Sequence, residues 1–452
     1  MKRRPAASAR LLALNILQET QRQHKFVQQL TDEELRTGDL PPVEARLTTH
    51  LVYGVLRRRA TLDALLRPCL QRPWREIEPW LRDCLRLGAY QLTFLSRIPP
   101  HAAVHETVEL ATQWGRPRAK RFLNAVLRRV SEILTPEASS EPAADALPME
   151  DGVFRKLTRP VFPDPTAQPG DYLAAAMSWP RWLAERWLTR YGWLECLRLG
   201  FWFVQPPPLW LRANRCRITR DELLRQLQLA GFTAHAGEYP EAIRLDDSAN
   251  VRDLPGYADG WFSVQDESAM RAAAAVMPEP GWRVLDLCAA PGGKSTHLAE
   301  LMNNHGQIVA CDASAERLRT VDDLARRLGL TIITTHDVSK GLPAGPFDAA
   351  LVDVPCTNTG VLGRRPEVRW RLKPDSFARL LPLQTKLLLE AAERVRPGGV
   401  IVYSTCSIEP EENEGLIHEV LARVPWLRRE EEALAIPGRP ADGGYWVRLR
   451  RD

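Results

Sequence analysis

Apolar positions recur at helical spacing through residues 6–133. The stretches ARLLALNILQET, LVYGVLRRRATLDALL, CLRLGAYQLTFL and FLNAVLRRV place apolar side chains three or four residues apart, and the alternation typical of strands is almost absent. This pattern predicts an all-α domain over residues 1–133. The chain start, MKRRPAASARLLALNILQET, predicts an amphipathic first helix, because Gln18 and Glu19 stand where a signal peptide would need its apolar stretch and cleavage site to finish.

The composition changes after about residue 131. Pro, Ala, Ser and acidic residues dominate LTPEASSEPAADALPMEDG and RPVFPDPTAQPG, so we expect an exposed linker over residues 134–170. Residues 171–262 begin with a Trp-rich amphipathic helix, MSWPRWLAERWLTRYG, whose aromatic side chains we expect in a core. PPPLWLRAN, ITRDELLRQLQLAGF and AIRLDD then predict strand, helix and strand, a small α/β unit.

Residues 263–452 alternate between short apolar runs and helical stretches. WRVLDLC, GQIVACD, TIITTHD, FDAALVDVP and GVIVYSTC predict five strands, and KSTHLAELM, AERLRTVDDLARRLG and FARLLPLQTKLLLEAAERV predict helices between them. This alternation is typical of a parallel sheet covered by helices on both faces. Ligands of such folds bind at the carboxyl ends of the strands, so the residues that finish each strand become the candidates for chemistry.

The overall composition is that of an ordinary soluble globular protein, with 452 residues, 44% hydrophobic and 26% charged. There is no run of about 18 apolar residues, so we expect no membrane span, a cytoplasmic location and reduced cysteines. The eight cysteines include no C-x-x-C pair and have no nearby His cluster, so we expect no metal site. We expect buried structural roles for five of them: Cys69, Cys84, Cys196, Cys216 and Cys311.

The positive charge is concentrated at the front of the chain. Residues 1–130 carry 23 Lys+Arg against 12 Asp+Glu, a net of +11, whereas residues 131–452 carry 38 against 44, a net of −6. A basic surface of this size favours a polyanion such as nucleic acid, although solvated Arg-rich helix faces produce the same count. Basic residues at predicted helix ends, Arg57–Arg59 and Arg128 with Arg129, suit the negative end of the helix dipole, and we expect them to be exposed.

The first predicted strand runs into DLCAAPGGK, residues 286–294, which opens a helix. Gly292 and Gly293 allow a ligand to approach the backbone, and the helix start offers free N–H donors. A phosphate loop of ATPase type is excluded because its first glycine would fall on Cys288, and G-x-G-x-x-G is absent. Asp312 and Asp337 end the next two strands and are candidates for binding a nucleoside-bearing cofactor. The alternative for either aspartate is that it caps a helix.

Two further predicted strands each lead to a cysteine. LVDVPCTNTG contains Asp353 and Cys356, and GVIVYSTCSIEPEENE contains Cys406. Neighbouring strands lie about 4.8 Å apart, so if these two pair, both thiols and Asp353 converge on one pocket. The residues alone leave open which of the two thiols is the nucleophile.

These motifs resemble a known family. DLCAAPGGK, DVPCTNTG and YSTCSIEPEEN resemble the cofactor, PC and TC motifs of the S-adenosylmethionine-dependent RNA 5-methylcytosine methyltransferases of the NOL1/NOP2/Sun class, and VYGVLRR, RLGAYQL and FLNAVLRR resemble a NusB-type RNA-binding domain. The resemblance implies an all-α NusB-like domain, a small α/β middle domain of ferredoxin or RRM type that binds RNA, and a C-terminal α/β Rossmann-like class I methyltransferase. It further implies methylation at C5 of a cytidine in small-subunit (16S) ribosomal RNA, with S-adenosyl-L-methionine as cofactor, by a monomer.

The same resemblance implies a role for each site residue. Cys406 attacks C6 of the cytosine, Cys356 assists product release and Asp353 contacts the base, while Cys288 is a packing residue within the cofactor loop. The cofactor-binding residues it implies are Cys288, Ala289, Ala290, Pro291, Gly292, Gly293, Lys294, Asp312, Asp337 and Asp353. The turn CTNTG departs from the commoner CSGTG, with Asn358 in place of a glycine, which bears on the conformation of this loop.

The loop after Cys356 continues as GRRPEVRWRLK, with Arg364, Arg365, Arg369, Arg371 and Lys373 around Trp370. Such cations would hold phosphates while the target base is extruded, and we select Arg364 and Arg365 as RNA-binding candidates. The alternative is a solvated charged loop with Trp370 in the core. Two other functions stay open: a non-catalytic NusB-like ribosome assembly factor, and a 5-methylcytosine methyltransferase for another RNA such as tRNA.

Overall fold

The computed structural model describes residues 8–23, 25–37, 40–150, 152–246 and 249–452. Residues 1–7, at the start of the predicted first helical stretch, and Asp247 of the predicted strand AIRLDD lie outside these ranges. The chain divides into two compact units, the first comprising residues 1–206 with 362–371 and the second residues 207–361 with 372–452. Among the described residues, no helix combines the length and the apolar composition that a membrane crossing requires.

The first unit is mainly helical, which confirms the predicted all-α front domain. Its helices are α1 (Ala9–Arg22), α2 (Val27–Thr37), α3 (Pro42–Arg57), α4 (Arg59–Leu66), α5 (Pro79–Phe94), α6 (Pro100–Gln113), α7 (Lys120–Ile133), α8 (Pro169–Ala176) and α9 (Arg181–Val204). Helix α5 contacts α1, α4, α6 and α7, and its apolar side chains lie at the centre of the core. Two tryptophans of the predicted aromatic helix, Trp179 and Trp187, are core residues as expected, since both are buried with ring centroids 4.9 Å apart.

The segment expected to be an exposed linker is instead folded. Strands β1 (Leu134–Ser139), β2 (Ala146–Pro148) and β3 (Phe154–Leu157) form an antiparallel sheet in the order β1-β3-β2. Leu147 and Phe154 are buried. The expectation of a linker is therefore wrong for these residues. The three strands are short and have few apolar residues, separated by proline and acidic residues, so the sequence shows no regular alternation of apolar and polar positions.

Arginines expected at exposed helix ends are partly buried. Arg57 and Arg58 are 8% and 4% exposed, so their predicted exposure is wrong. Arg57 Nε donates to the carbonyl oxygen of Gly363 at 2.8 Å, and Arg58 Nη2 donates to that of Met149 at 2.6 Å. Irregular segments leave carbonyl oxygens without strand or helix partners, and the five donors of a guanidinium can satisfy several of them. Arg128 is exposed, as expected.

The arginine-rich segment 362–371 belongs to the first unit. Arg369 is fully buried and donates to the carbonyl oxygens of Ser178, Phe203 and Leu362 at 3.1, 3.0 and 2.8 Å. The interpretation of Arg369 as a phosphate-holding loop cation is therefore wrong. Its charge organises backbone carbonyls within the unit.

The second unit begins with a small antiparallel sheet. Strands β4 (Leu209–Ala213), β5 (Ala234–Ala236), β6 (Ala242–Leu245) and β7 (Phe262–Val264) lie in the order β5-β6-β4-β7. Helix α10 (Arg220–Leu229) begins at the N-cap Thr219, whose side chain accepts from the backbone N–H of Glu222, and buries Leu223 and Leu227. The predicted strand, helix and strand are confirmed as β4, α10 and β6, while the three-residue strands β5 and β7 were not predicted.

A seven-stranded mixed sheet forms the rest of the second unit. Its strands are β8 (Arg283–Leu287), β9 (Gln307–Asp312), β10 (Ile333–Asp337), β11 (Phe347–Asp353), β12 (Val395–Thr405), β13 (Leu427–Ala435) and β14 (Gly444–Arg451), in the order β10-β9-β8-β11-β12-β14-β13. The helices are α11 (Glu267–Ala274), α12 (Gly293–Leu301), α13 (Ala315–Leu328), α14 (Ser376–Ala392) and α15 (Glu414–Arg423). The five predicted strands are confirmed and are parallel. Two further strands were not predicted: β14 runs antiparallel to β12, and β13 pairs antiparallel with β14.

The strand order changes direction between β8 and β11. From β8 the chain continues outward to β9 and β10, whereas β11 and β12 extend the sheet on the other side. The carboxyl ends of all five parallel strands lie at one edge, and a crevice forms where the order reverses. The candidate residues of the sequence lie at this edge.

Candidate active site

The two site cysteines follow neighbouring parallel strands. In the pairing of β11 with β12, Asp353 lies opposite Ser404, so Cys356 and Cys406 leave the sheet side by side. Their sulfur atoms are 3.2 Å apart, and both side chains are half-buried. The strands therefore pair as the sequence led us to expect, and the loops bring both thiols to one place.

The surroundings of Cys356 favour its protonated form. The pKa of Cys356 lies well above its usual value, first because of its hydrogen bond with Cys406, then because of burial, and further because of the nearby Glu412 carboxylate. Cys356 therefore keeps its proton at neutral pH. A protonated thiol can donate a hydrogen bond to a neighbouring thiolate but is a poor nucleophile.

Asn358 connects the two cysteines. Its backbone has a φ of 59°, a left-handed conformation that asparagine tolerates better than most residues with a side chain. Nδ2 donates to the carbonyl oxygen of Cys356 at 2.6 Å, and Oδ1 accepts from Cys406 Sγ at 3.3 Å. The asparagine therefore accommodates the turn where the commoner motif has glycine and adds a side chain that contacts Cys406.

A buried polar network holds the two cysteine loops together. The Glu412 carboxylate accepts from the backbone N–H of Thr357 at 3.0 Å, from its hydroxyl group, and from Gln384 Nε2 at 2.9 Å. The hydroxyl groups of Thr359 and Ser407 lie 3.1 Å apart. Burial raises the pKa of Glu412, although these hydrogen bonds oppose the shift. Glu412 was not predicted; its position six residues after Cys406 in EPEENE was the available signal.

Asp353 is held by two donors. Lys294 Nζ lies 2.8 Å from Oδ2, and Ser404 Oγ donates to Oδ1 at 2.8 Å. Burial lowers the pKa of Lys294, but the charge and hydrogen bond of Asp353 outweigh it, so the net shift is upward and the ammonium group stays charged. This ion pair joins the end of β11 to the start of α12 across the point where the strand order reverses.

The glycine-bearing loop lies between β8 and α12. Gly292 has a φ of 103°, and a Cβ there would be 3.1 Å from Val321 Cα, so this position accepts no side chain. At Gly293 a Cβ would meet only Gln265, at 3.9 Å, which leaves the backbone at the start of α12 accessible. Asp286, at the base of the loop, is fully buried and accepts from Ser295 Oγ at 2.5 Å.

Asp286 has an unusual protonation state for a carboxyl group. Burial, the main cause, raises its pKa to about 7, while the hydrogen bond from Ser295 opposes the shift and the charge of Asp353 adds to it. Its Oδ1 has no hydrogen-bond partner among the described residues. An orphaned polar atom at the base of a glycine-lined loop fits a polar ligand bound there.

The remaining strand-end acids differ in their contacts. Asp312 is 4% exposed, accepts from the backbone N–H of Ser314 at 3.0 Å and pairs with Arg317 at 3.1 Å. Arg317 also donates to the carbonyl oxygen of Ala290 at 2.7 Å, so it connects the acid with the loop, a role that was not predicted. Asp337 accepts from the backbone N–H of Ser339 at 2.9 Å and caps a short helical turn, and hydrogen bonds from Ser339 lower its pKa.

Arg212, on β4, supports the start of α12. It is fully buried, pairs with Glu300 at 2.7 Å and donates to the carbonyl oxygen of Gly293 at 2.8 Å and to Thr296 Oγ1 at 3.1 Å. The small sheet thus holds the helix whose first turn carries Lys294. The signal in the sequence was a single arginine inside the apolar strand LWLRA.

The other six cysteines differ in burial. All eight are free thiols, and Cys69, Cys84, Cys196 and Cys311 are buried, as expected. Cys216 is exposed, so its expected burial is wrong. Burial, then the surrounding carboxylates, raise the pKa of Cys288 to about 12, which fits a packing role in the loop.

Arg364 and Arg365 lie in the segment that belongs to the first unit. The guanidinium group of Arg365 lies 4.4 Å from the centroid of the Phe26 ring. A guanidinium stacked on an aromatic ring keeps edge N–H groups available for phosphate oxygens.

Three family models match the chain. The model described as 16S rRNA methyltransferase RsmB/F matches residues 273–437, the NusB family model matches residues 7–132, and the ferredoxin-like domain of RsmF/B-like methyltransferases matches residues 179–252. The three matches follow the order of the helical domain, the small sheet and the mixed sheet along the chain.

Curated relatives match nearly the whole chain. The probable ribosomal RNA small subunit methyltransferase B of Synechocystis sp. is 37% identical over 421 residues, which cover 92% of this chain and 89% of the relative. The corresponding protein of Bacillus subtilis is 35% identical over 424 residues, with 92% and 89% covered. Ribosomal RNA small subunit methyltransferase B of Klebsiella pneumoniae is 36% identical over 425 residues, with 90% and 88% covered.

Solved structures share the fold. The crystal structure of PH0851 has a TM-score of 0.75 at 24% identity and covers 99% of this chain and 100% of its own. A methyltransferase homolog protein from Pyrococcus horikoshii has a TM-score of 0.55 at 26% identity, with 62% of this chain and 98% of that chain covered.

Proposed function

The chain belongs to the 16S rRNA methyltransferase RsmB/F family, and from this premise we propose that it methylates C5 of a cytidine in small-subunit ribosomal RNA through a covalent bond between Cys406 and C6 of the base. It is an S-adenosylmethionine-dependent methyltransferase. The observation that carries the covalent route is the pair of thiols 3.2 Å apart, beside an aspartate that is held by a lysine.

The residues at the edge of the sheet fit S-adenosylmethionine. When bound, it supplies an electrophilic methyl group on a sulfonium sulfur. We propose that residues 288–294 hold its methionine and ribose portions, since Gly293 leaves the backbone accessible. Asp312 keeps lone pairs beyond those used by Ser314 and Arg317, so it can accept from ribose hydroxyl groups. Asp337, at the end of the next strand, is proposed to lie near the adenine.

Asp353 and Lys294 suit the edge of a cytosine. A carboxylate accepts from the exocyclic amine, and an ammonium group with three donors can give one to N3 while it keeps its bond to Asp353. The hydrogen bond from Lys294 to N3 draws electron density away from the ring and makes C6 more electrophilic, while the contact with Asp353 fixes the orientation of the base. Cys406, as thiolate, then adds to C6, and C5 becomes a nucleophile that takes the methyl group.

Release of the product requires that the adduct be undone. A general base removes the C5 proton, the double bond between C5 and C6 re-forms, and the bond from Cys406 Sγ to C6 breaks. The departing sulfur carries the negative charge. Cys356, protonated at neutral pH and 3.2 Å away, can donate an S–H hydrogen bond to it. We therefore propose that Cys406 is the nucleophile and that Cys356 assists release.

RNA is the macromolecular substrate, and we propose that the NusB-like domain and the small sheet bind it. Arg364 and Arg365 are proposed to contact phosphates. Each catalytic group of the proposal comes from one chain, which supports activity as a monomer. Ribosomal RNA as substrate supports a cytoplasmic location.

The proposed function is tested with purified protein, small-subunit ribosomal RNA and S-adenosylmethionine that carries a labelled methyl group. We expect label in 5-methylcytidine after nuclease digestion and chromatography, and none with the Cys406→Ala variant. Transfer to tRNA but not to ribosomal RNA would contradict the substrate. No transfer to either RNA would contradict the enzymatic proposal and favour an assembly factor.

A further inference from the structure

The carboxamide of Asn358 lies between the two site cysteines. Nδ2 is 2.6 Å from the carbonyl oxygen of Cys356, and Oδ1 is 3.3 Å from Cys406 Sγ. A backbone carbonyl can only accept, so the nitrogen must face Cys356, which leaves the oxygen facing the thiol. Cys406 therefore has an acceptor for its S–H proton, on a side chain that is fixed at its other end.

The turn itself does not require this side chain. A φ of 59° is open to glycine at no steric cost, so a glycine at position 358 would give the same backbone. What glycine lacks is the carboxamide that contacts Cys406. The contact is therefore separable from the conformation of the loop.

We propose that Asn358 is a positioning residue that orients the Cys406 thiol for attack on C6 and keeps the proton on its sulfur in the resting enzyme. The inference rests on the proposed role of Cys406 as nucleophile. Asn358 acts through the sulfur atom. Its oxygen end favours the thiol over the thiolate, because a negative sulfur would lose the hydrogen bond and face a partial negative charge.

Other titratable groups also act on this thiol. Cys356 lies 3.2 Å away, Glu412 interacts with Cys356, and Lys294, which is attracted to a Cys406 thiolate, forms an ion pair with Asp353. The charge of Lys294 favours the Cys406 thiolate, and the negative charges of Glu412 and Asp353 disfavour it. A change at Asn358 leaves these groups in place, so its effect on Cys406 can be measured against a constant background.

Two variants of Asn358 change the ionisation of Cys406 in opposite directions. Asn358→Gly removes the acceptor, so the pH midpoint for alkylation of Cys406 by iodoacetamide should fall by about half a unit. Asn358→Asp keeps the size of the side chain but adds a negative charge, so the midpoint should rise by about half a unit or more. The measurement uses full-length protein without RNA and follows the Cys406 peptide by mass spectrometry. A general loosening of the loop would move both midpoints in the same direction.

The effect of Asn358 on the position of the Cys406 sulfur is measured by the rate of the chemical step. At saturating RNA and S-adenosylmethionine, the single-turnover rate should fall about tenfold in Asn358→Gly, because the sulfur atom no longer starts from a fixed position beside C6, while the dissociation constant for RNA stays unchanged. The inference would be overturned if the two alkylation midpoints stayed at the wild-type value or moved in the same direction. It would also be overturned if the single-turnover rate did not change. Failure of the proposed function would give a different result. If Cys406→Ser still formed an RNA adduct, Cys406 would not be the nucleophile, whereas the alkylation midpoints of the two Asn358 variants would be unaffected.

Discussion

Cys356 and Cys406 leave neighbouring parallel strands and place their sulfur atoms 3.2 Å apart. They are joined by a hydrogen bond, and the pKa of Cys356 is raised by that bond and by burial. Two thiols so close together share one negative charge at most, so they cannot be equivalent in a reaction that needs one thiolate. Their roles can be separated by replacing each in turn.

Replacing the two cysteines should have different consequences. Cys406→Ser should abolish both methyl transfer and the covalent complex with RNA, because a serine hydroxyl does not add to C6. Cys356→Ser should accumulate a protein–RNA adduct that survives denaturation, because the departing Cys406 thiolate loses its donor. Denaturing gel electrophoresis with labelled RNA measures both outcomes.

The exposed Cys216 provides the control for this pair of variants. Cys216→Ser should methylate RNA at the wild-type rate and leave no adduct, because that thiol lies outside the site. If Cys406→Ser accumulates the adduct and Cys356→Ser abolishes it, the two roles are reversed.

Lys294 and Asp353 should behave as one functional unit. Asp353→Asn and Lys294→Met should each lower the single-turnover rate by about a hundredfold or more, because each leaves its half-buried partner without a counter-charge at the proposed cytosine site. The double variant should lose little more than either single one. Lys386→Met, which removes an exposed lysine from the same unit, should leave the rate unchanged. Multiplicative losses in the double variant would show that the two residues act independently.

The sequence indicated which residues meet at the ends of the parallel strands better than it indicated the residues that support them. Asp353, Cys356 and Cys406 were recognisable because residues that end parallel strands share one edge of a sheet, whatever the details of packing. Arg369 was not, because nothing in its local sequence distinguishes a buried arginine from a solvated one, and the one local signal for Arg212, its place inside the apolar strand LWLRA, does not identify its partner. Their partners, such as Glu300 and the carbonyl oxygen of Phe203, are distant along the chain.

Local pattern also failed where strands are short or charged. The strand LRREEEALA is almost entirely exposed at the edge of the sheet, so no apolar alternation marks it. The three-stranded sheet of the first unit has only a few buried side chains, among them Leu147 and Phe154. Both elements depend on partners elsewhere in the chain for their hydrogen bonds.

Arg212 should contribute more to stability than an exposed arginine of the same small domain. Arg212→Ala leaves Glu300 buried without its partner, so the free energy of unfolding should fall by about 3 to 5 kcal/mol. Affinity for S-adenosylmethionine should fall as well, because Arg212 holds the carbonyl oxygen of Gly293. The control, Arg225→Ala, breaks an exposed pair with Glu222 and should cost about 1 kcal/mol or less. Urea denaturation and calorimetric titration measure the two effects, and equal losses of stability would contradict the structural role of Arg212.

Asp286 should make stability depend on pH in the unliganded protein. Its pKa is about 7 in the folded state and near 4 in an unfolded chain, so the folded state binds the proton more tightly. The contribution of Asp286 protonation to the free energy of unfolding is fully present below about pH 4. It is lost between about pH 4 and 7, with a slope of up to about 1.4 kcal/mol per pH unit, and the free energy of unfolding no longer depends on this group at higher pH. Asp286→Asn resembles the protonated form and should flatten this part of the profile. Urea denaturation of both proteins between pH 5 and 8 tests the effect, and parallel profiles would contradict it.

The positive charge of the front domain should contribute to RNA binding, and the packing of this domain determines which variants can test it. Removal of residues 1–133 would open the core of the first unit, because Leu147, Phe162 and Tyr172 pack in the same apolar cluster as the helices. Substitution of exposed arginines avoids this problem. The chosen residues, which lie between the end of α6 and the end of α7, are Arg116, Arg118, Arg121 and Arg128.

Two of these arginines, Arg116 and Arg118, line a surface cleft with Arg72, Trp80 and Phe122, a combination of cations and aromatic rings that suits RNA. Replacing all four by glutamine should weaken RNA binding and reduce the slope of log K against log salt by about one for each phosphate contact that is lost. A matched fourfold variant, in which Arg326, Arg423, Arg428 and Arg429 are replaced by glutamine, removes exposed arginines of the mixed-sheet domain that are already paired with acids and should leave the slope unchanged. If the fourfold variant keeps the wild-type slope, the excess positive charge of the front domain serves solubility and not RNA binding.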